Sequence, residues 1–181
     1  HVKKGALFVI VVGGGSVARE YQRAAKKTGK LTRDYLDWLG IHATRLNAHL
    51  LRTIFKHIAY PHVVTDPTKR EGSSYPVIVA SGWKPGRSTD YDAVLLAKTF
   101  NTKTILNLSN IPYVYSEDPK KNKKATALTH LSWKAFRKIV GNSWDPGANL
   151  PFDPVASKLA EKMGYRVIIA DGRNFGNLDK V

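Results

Sequence analysis

This chain of 181 residues contains no cysteine. That excludes a disulfide framework and any thiolate metal site, and it is compatible with a reducing, cytoplasmic setting. No apolar run approaches the length that spans a bilayer, so no membrane partner is expected. The opening HVKKGALFVIVV places a basic end before an apolar run, as a secretory leader does. The run ends in Gly-Gly-Gly without a small-residue cleavage site, and it reads as a strand. The six histidines (1, 42, 49, 57, 62 and 130) show no metal-ligand pattern. His42 and His49 stand seven apart on one helix, which fits packing or surface placement. The four tryptophans lack the regular basic and aromatic interleaving of single-strand binders. Acidic residues are few, 14 against 29 Lys and Arg, for a formal net charge of +15. Such an excess points to a phosphate-rich partner or to a generally basic surface. The basic residues are spread along the chain, and only Lys120, Lys121, Lys123 and Lys124 cluster, so charge alone does not argue for nucleic acid.

What is present is a globular composition, 43% hydrophobic and 24% charged, which fits one domain over residues 1–181. Residues 6–12 form a β-branched apolar strand of the kind buried on both faces of a parallel sheet. Helices are expected over 16–27 and 32–57. In the second, Leu36, Leu39, Ala43, Leu46, Leu50 and Ile54 recur at helical spacing. Residues 60–75 read as a connection, 76–82 as a strand, 90–100 as a helix and 102–108 as a strand. Residues 109–129 and 141–151 read as loops around a short helix at 133–140. A helix over 154–163 has Pro154 in its first turn and Gly164 just beyond its end, and a strand over 165–172 follows. Alternating strands and helices make an α/β protein with a mainly parallel sheet and helices on both faces. No internal repeat, low-complexity tract or linker is evident.

Two strands run straight into glycine. After the first come Gly13, Gly14, Gly15 and, one helical turn on, Arg19. Strand, glycines and helix bring backbone N–H groups and the positive helix end around an anion. A tight strand-to-helix turn accounts for the same residues. After the second strand come Gly82, Trp83, Lys84, Pro85, Gly86, Arg87, Ser88 and Thr89, again before a helix. Ligands of α/β sheets gather at such carboxyl ends. Two anion-accepting loops suit the transfer of a phosphoryl group between two phosphorylated ligands.

GGGSVAR, DWLGIHATRLNAHLL, SGWKPGRSTD, YVYSEDP and FDPVASKLA follow one another in this order. Together they resemble the amino acid kinase superfamily, and most closely its archaeal-type uridylate (UMP) kinase branch. The resemblance implies a three-layer α/β/α sandwich with a mainly parallel central sheet. It also implies transfer of the γ-phosphate of ATP to UMP, with Mg²⁺ held mainly through phosphates and no dedicated metal-ligand set. By matching position, Gly14 and Asp37 would meet UMP, and Trp83, Lys84, Pro85, Gly86, Arg87, Ser88 and Thr89 would form the uridylate pocket. Gly13, Gly15, Arg19, Ser109, Tyr115 and Asp118 would meet ATP, and Asp153 would organise the catalytic groups. The resemblance further implies a hexamer assembled from dimers. Plain structural roles compete for several of these residues. Asp37 suits a solvated helix carboxylate, Asp118 a turn, Tyr115 ordinary core, and Asp153 the cap of the helix that opens at Pro154.

The sequence departs from the family pattern in places. The early strand with its Gly-Gly-Ser loop has no counterpart, and Val181 falls short of the family's last strand, so the chain reads as incomplete at both ends. The usual Asn-Val-Asp-Gly-Val-Tyr appears as Asn110-Ile111-Pro112-Tyr113-Val114-Tyr115, which puts ATP preference in question. Trp83 replaces a smaller residue. The absence of histidine after the triple glycine argues against isopentenyl phosphate kinase relatives. These departures leave open a non-catalytic nucleotide-binding or regulatory protein of the same fold. A basic nucleic-acid-binding module is the remaining alternative.

Overall fold

The computed structural model describes residues 5–117, 122–143, 150–174 and 176. Its contacts separate two units, His1–Phe100 and Asn101–Val181. The first holds β1 (Phe8–Val11), α1 (Gly15–Lys26), α2 (Arg33–Ile54), β2 (Val77–Ala80) and α3 (Thr89–Thr99). β1 and β2 pair in parallel, with Phe8 opposite Val77 and Val11 opposite Ala80. A parallel pair needs a long crossover, and α1 with α2 supplies it. Successive side chains of a strand point to opposite faces. Val77, Val79, Ile10 and Val12 accordingly pack with Ala48, Leu51 and Phe55 of the α2 region. Ile78, Ala80, Val9 and Val11 pack with Leu96 of α3 and with Phe100. The sheet thus has a helix on each face, the expected α/β/α layering. This is why β2 is buried at every position and the strands read as unbroken apolar runs.

One expectation needs correction in this unit. Residues 60–75 are more than a connection, because their first part lies along the other edge of β2. Tyr60 N–H donates to Val77 O (2.8 Å), Val64 N–H to Val79 O (2.9 Å) and Ser81 N–H to Val64 O (3.0 Å). The pairing stays as isolated bridges, Ala59 with Val77 and Val64 with Ala80, rather than a regular strand. The apolar stripe of α2 divides between core and surface, with Ala43 buried. Leu46, Leu50 and Ile54 are all more than 60% exposed, whereas Asp37, Ile41, Thr44 and Ala48 are buried. The helix lays Ile41, Leu51 and several small or polar residues toward the sheet and its loops, while Leu46, Leu50 and Ile54 face outward.

The second unit holds β3 (Thr104–Ser109), β4 (Val114–Tyr115), β5 (Ala127–Leu128), α4 (Trp133–Val140), α5 (Pro154–Lys162) and β6 (Arg166–Asp171). β3 and β6 pair in parallel, with Ser109 opposite Asp171. β4 and β5 form a short antiparallel pair inside the stretch read as a loop. Strands of two residues carry no detectable period, so the sequence could not reveal them. The end of α5 follows its sequence signal. Tyr165 N–H returns to Ala160 O (2.9 Å) and Gly164 N–H to Glu161 O (3.0 Å). Gly164 takes a φ of +65°, the left-handed residue such a helix end requires. Trp133 Nε1 donates to Tyr165 O (3.0 Å) and Arg137 pairs with Glu161, fastening α4 to α5. No described helix is long and apolar enough to cross a membrane.

Candidate functional site

Because β1 and β2 are neighbours and parallel, their carboxyl ends open on one rim. The last rung, Val12 N–H to Ala80 O at 2.9 Å, sits directly below both glycine loops. A Cβ placed on Gly13 would lie 3.9 Å from Thr89 Oγ1, so the two loops meet.

The first loop requires glycine at two positions. Any Cβ on Gly14 would stand 2.5 Å from the Ala18 Cβ, and Gly15 has a φ of +58°. The amides that open α1 have no intrahelical acceptor, and the helix adds its positive end there. Arg19 is exposed one turn further on. Asn47 of α2, to which the sequence reading assigned no role, donates from Nδ2 to Gly13 O (2.9 Å) and Gly14 O (3.2 Å).

The second loop is held by side chains more than expected. Gly82 N–H donates to Thr44 Oγ1 (2.8 Å), Trp83 N–H to Asp92 Oδ2 (3.1 Å) and Gly86 N–H to Asp37 Oδ2 (2.8 Å). The amides at positions 82, 83 and 86 are therefore engaged within the protein. What this loop can offer an anion lies in Lys84, Arg87, Thr89 and its remaining amides. Ser88 Oγ accepts from Tyr91 N–H (3.2 Å) and caps α3. Pro85 precedes Gly86, whose φ is +75°. Lys84 Nζ lies 3.8 Å from the centre of the Trp83 ring and the Arg87 guanidinium 4.5 Å from that of Tyr91, both within cation–π range.

Asp37 is only 7% exposed and bound to Gly86, which sets aside the solvated-carboxylate reading. Asp92 escaped the sequence reading altogether. It is fully buried, and its Oδ1 has no partner among the described residues. Burial pushes its carboxyl up to about 7, against the Trp83 N–H bond and the charges of Arg87 and Lys84, with Asp90 adding to the rise. One signal could have exposed part of this network. Asp37, Thr44 and Asn47 are spaced seven and three apart, which puts them on one helix face.

In the second unit Ser109 closes β3, and its carbonyl accepts from Gly172 N–H (2.9 Å). Tyr115 is half-buried on β4. Asp153 is buried, and its Oδ1 accepts from Ala156 N–H at 2.7 Å, so it does cap α5. Asn107 Nδ2 donates to Pro151 O (2.9 Å), tying the segment before Asp153 to β3. Asp118 lies outside the described residues.

Parallel strands ending in glycine turns, with buried polar side chains gripping those turns, agree with what family comparison finds. Residues 1–171 match the amino acid kinase family, and the chain belongs to it. It is 39% identical over 171 residues to the uridylate kinase of Pyrobaculum neutrophilum, across 93% of this chain and 78% of that protein. The crystal structure of uridylate kinase from Archaeoglobus fulgidus matches with a TM-score of 0.82 at 34% identity, across 94% of this chain and 78% of that one. Aspartate kinase from Synechocystis, 17% identical with a TM-score of 0.76 across 96% of this chain and 34% of that one, shares the fold.

Proposed function

We propose that the chain is a uridylate kinase, transferring the γ-phosphate of ATP to UMP to give UDP in cytoplasmic pyrimidine nucleotide biosynthesis. The observation that carries this reading is the likeness to uridylate kinases, 39% and 34% identical, over more than nine-tenths of the chain. UMP would be met by Gly14, Asp37 and residues 83–89. ATP would be met by Gly13, Gly15, Arg19, Ser109, Tyr115 and Asp118, with Asp153 organising the catalytic groups. The two units would then serve as one catalytic domain, and the family model supports this by running through both.

The chemistry asks little beyond placement. The acceptor is already an anion, so no strong base or covalent intermediate is required. Cations and oriented amides must hold two negative groups together. Mg²⁺ would be held chiefly through ATP phosphate oxygens, which suit a hard cation that keeps several waters. Among the described residues no three His, Asp or Glu side chains converge as a metal cluster. The chain would assemble as a homo-oligomer, a hexamer by likeness to its family. The exposed ridge of Leu46, Leu50 and Ile54 on α2 supports self-association.

A coupled assay of ADP release with UMP, CMP and other nucleoside monophosphates tests the reading. UMP is expected as the preferred acceptor, and inactivity of the full chain toward every monophosphate would remove the proposal.

A further inference from the structure

We infer that Asn47 is a positioning residue for phosphate recognition, aiming the amides of the triple-glycine turn at the acceptor's phosphate. This rests on the proposed reading of that turn as a phosphate site.

Asn47 Nδ2 donates to Gly13 O (2.9 Å) and to Gly14 O (3.2 Å). A side-chain amide nitrogen carries two N–H groups, so both bonds form at once. Both partners are acceptors, which leaves the amide one productive orientation. In a trans peptide the C=O and the following N–H point to opposite sides. Holding the carbonyls of Gly13 and Gly14 toward α2 therefore turns the N–H groups of Gly14 and Gly15 away from α2.

The pin matters because this turn cannot hold itself. Glycine adopts positive and negative φ about equally readily, so a Gly-Gly peptide rotates at little cost. Each rotation would replace an N–H with a carbonyl oxygen, and that oxygen would repel a phosphate. The two peptides are not equally exposed to this. Gly14 O also accepts from Ala18 N–H at 3.1 Å in the first turn of α1, so the Gly15 amide keeps a second restraint. The peptide between Gly13 and Gly14 lacks that helical bond and depends more on Asn47. Its N–H is that of Gly14, the residue assigned to UMP.

The test is calorimetric titration of the full chain with UMP and with uridine, in the parent and in Asn47→Ala and Asn47→Asp. Asn47→Asp keeps the shape but turns the donor into an acceptor facing two carbonyls. UMP affinity is expected to fall about tenfold in Asn47→Ala, the worth of a hydrogen bond that orients a charge-binding group, and further in Asn47→Asp. Uridine binding is expected to be unchanged in both, and ATP affinity to fall less than that for UMP. Unchanged UMP affinity, or equal losses for UMP and uridine, overturns the role. Unfolding of both variants, seen in their melting curves, also overturns it and makes Asn47 a structural residue. If the parent binds uridine as tightly as UMP, the phosphate-site reading fails first, and the inference with it.

Discussion

Asp37 and Gly86, forty-nine residues apart, are joined by a 2.8 Å hydrogen bond from the glycine amide to the buried carboxylate. The bond fixes the one residue of the second loop that takes a positive φ. A carboxylate proposed to meet UMP thus also shapes the loop proposed to hold it. Asp37→Ala removes both capacities, while Asp37→Asn leaves an oxygen to accept from Gly86. The alanine variant is expected to lose about 1–3 kcal/mol in denaturant titrations. The asparagine variant is expected to recover most of that stability but not the UMP affinity. Recovery of both would reduce Asp37 to a loop fastener.

Asp92 makes stability fall with rising pH. Its carboxyl sits near 3.8 in the unfolded chain and about 7 when folded. Between about pH 4 and 7 the folded protein keeps a proton that the unfolded chain has released, so stability declines across that window and levels off above it. Asp92→Asn keeps an acceptor for Trp83 and removes the charge. It is expected to match the parent near pH 4 and to exceed it at pH 8, by about 4 kcal/mol at most. Thermal melts across pH would show the two curves converging at the acid end. Parallel curves would refute the assignment.

Gly14→Ala is expected to push the triple-glycine turn away from α1, since the new methyl meets Ala18 at well under contact distance. Overpacking of this sort typically costs about 1–3 kcal/mol. UMP and ATP titrations should show losses out of proportion to the drop in melting temperature.

Asp153 can be divided into its two capacities. Asp153→Asn retains an oxygen for the Ala156 amide, so the cap of α5 survives, whereas Asp153→Ala is expected to cost about 1 kcal/mol. Under the proposed function both variants lose turnover while nucleotide binding persists. Full turnover in Asp153→Asn would leave the residue as a cap alone.

Leu50→Lys places a charge in the exposed ridge of α2. A smaller species in sedimentation, with the melting temperature barely changed at low concentration, is the expected result. An unaltered sedimentation profile would remove the ridge from the assembly.

Much of the architecture could be read from the chain because its signals are local. Continuous β-branched runs announced β1, β2 and β6, and Pro154 with Gly164 framed α5. The glycine turns were legible for the same reason. The edge stretch at Tyr60 to Val64 was not, since Pro61 disguises backbone pairing that only the neighbouring strand reveals. The inward face of α2 was legible only in part, because helical spacing alone does not separate the buried Ala43 from the exposed Leu46, Leu50 and Ile54, and this helix also turns Thr44 and Asp37 inward. Asp92 and Asn47 stayed hidden because their partners are backbone groups 9 and more than 30 residues away. For Asn47 the shared helix face with Asp37 and Thr44 was a hint of a role but not of its partner.

One helix reaches both loops. From α2, Asp37 takes the Gly86 amide, Thr44 takes the Gly82 amide, and Asn47 takes the carbonyls of Gly13 and Gly14. The loops thus share a chassis, and a small tilt of that rod shifts both seats in concert.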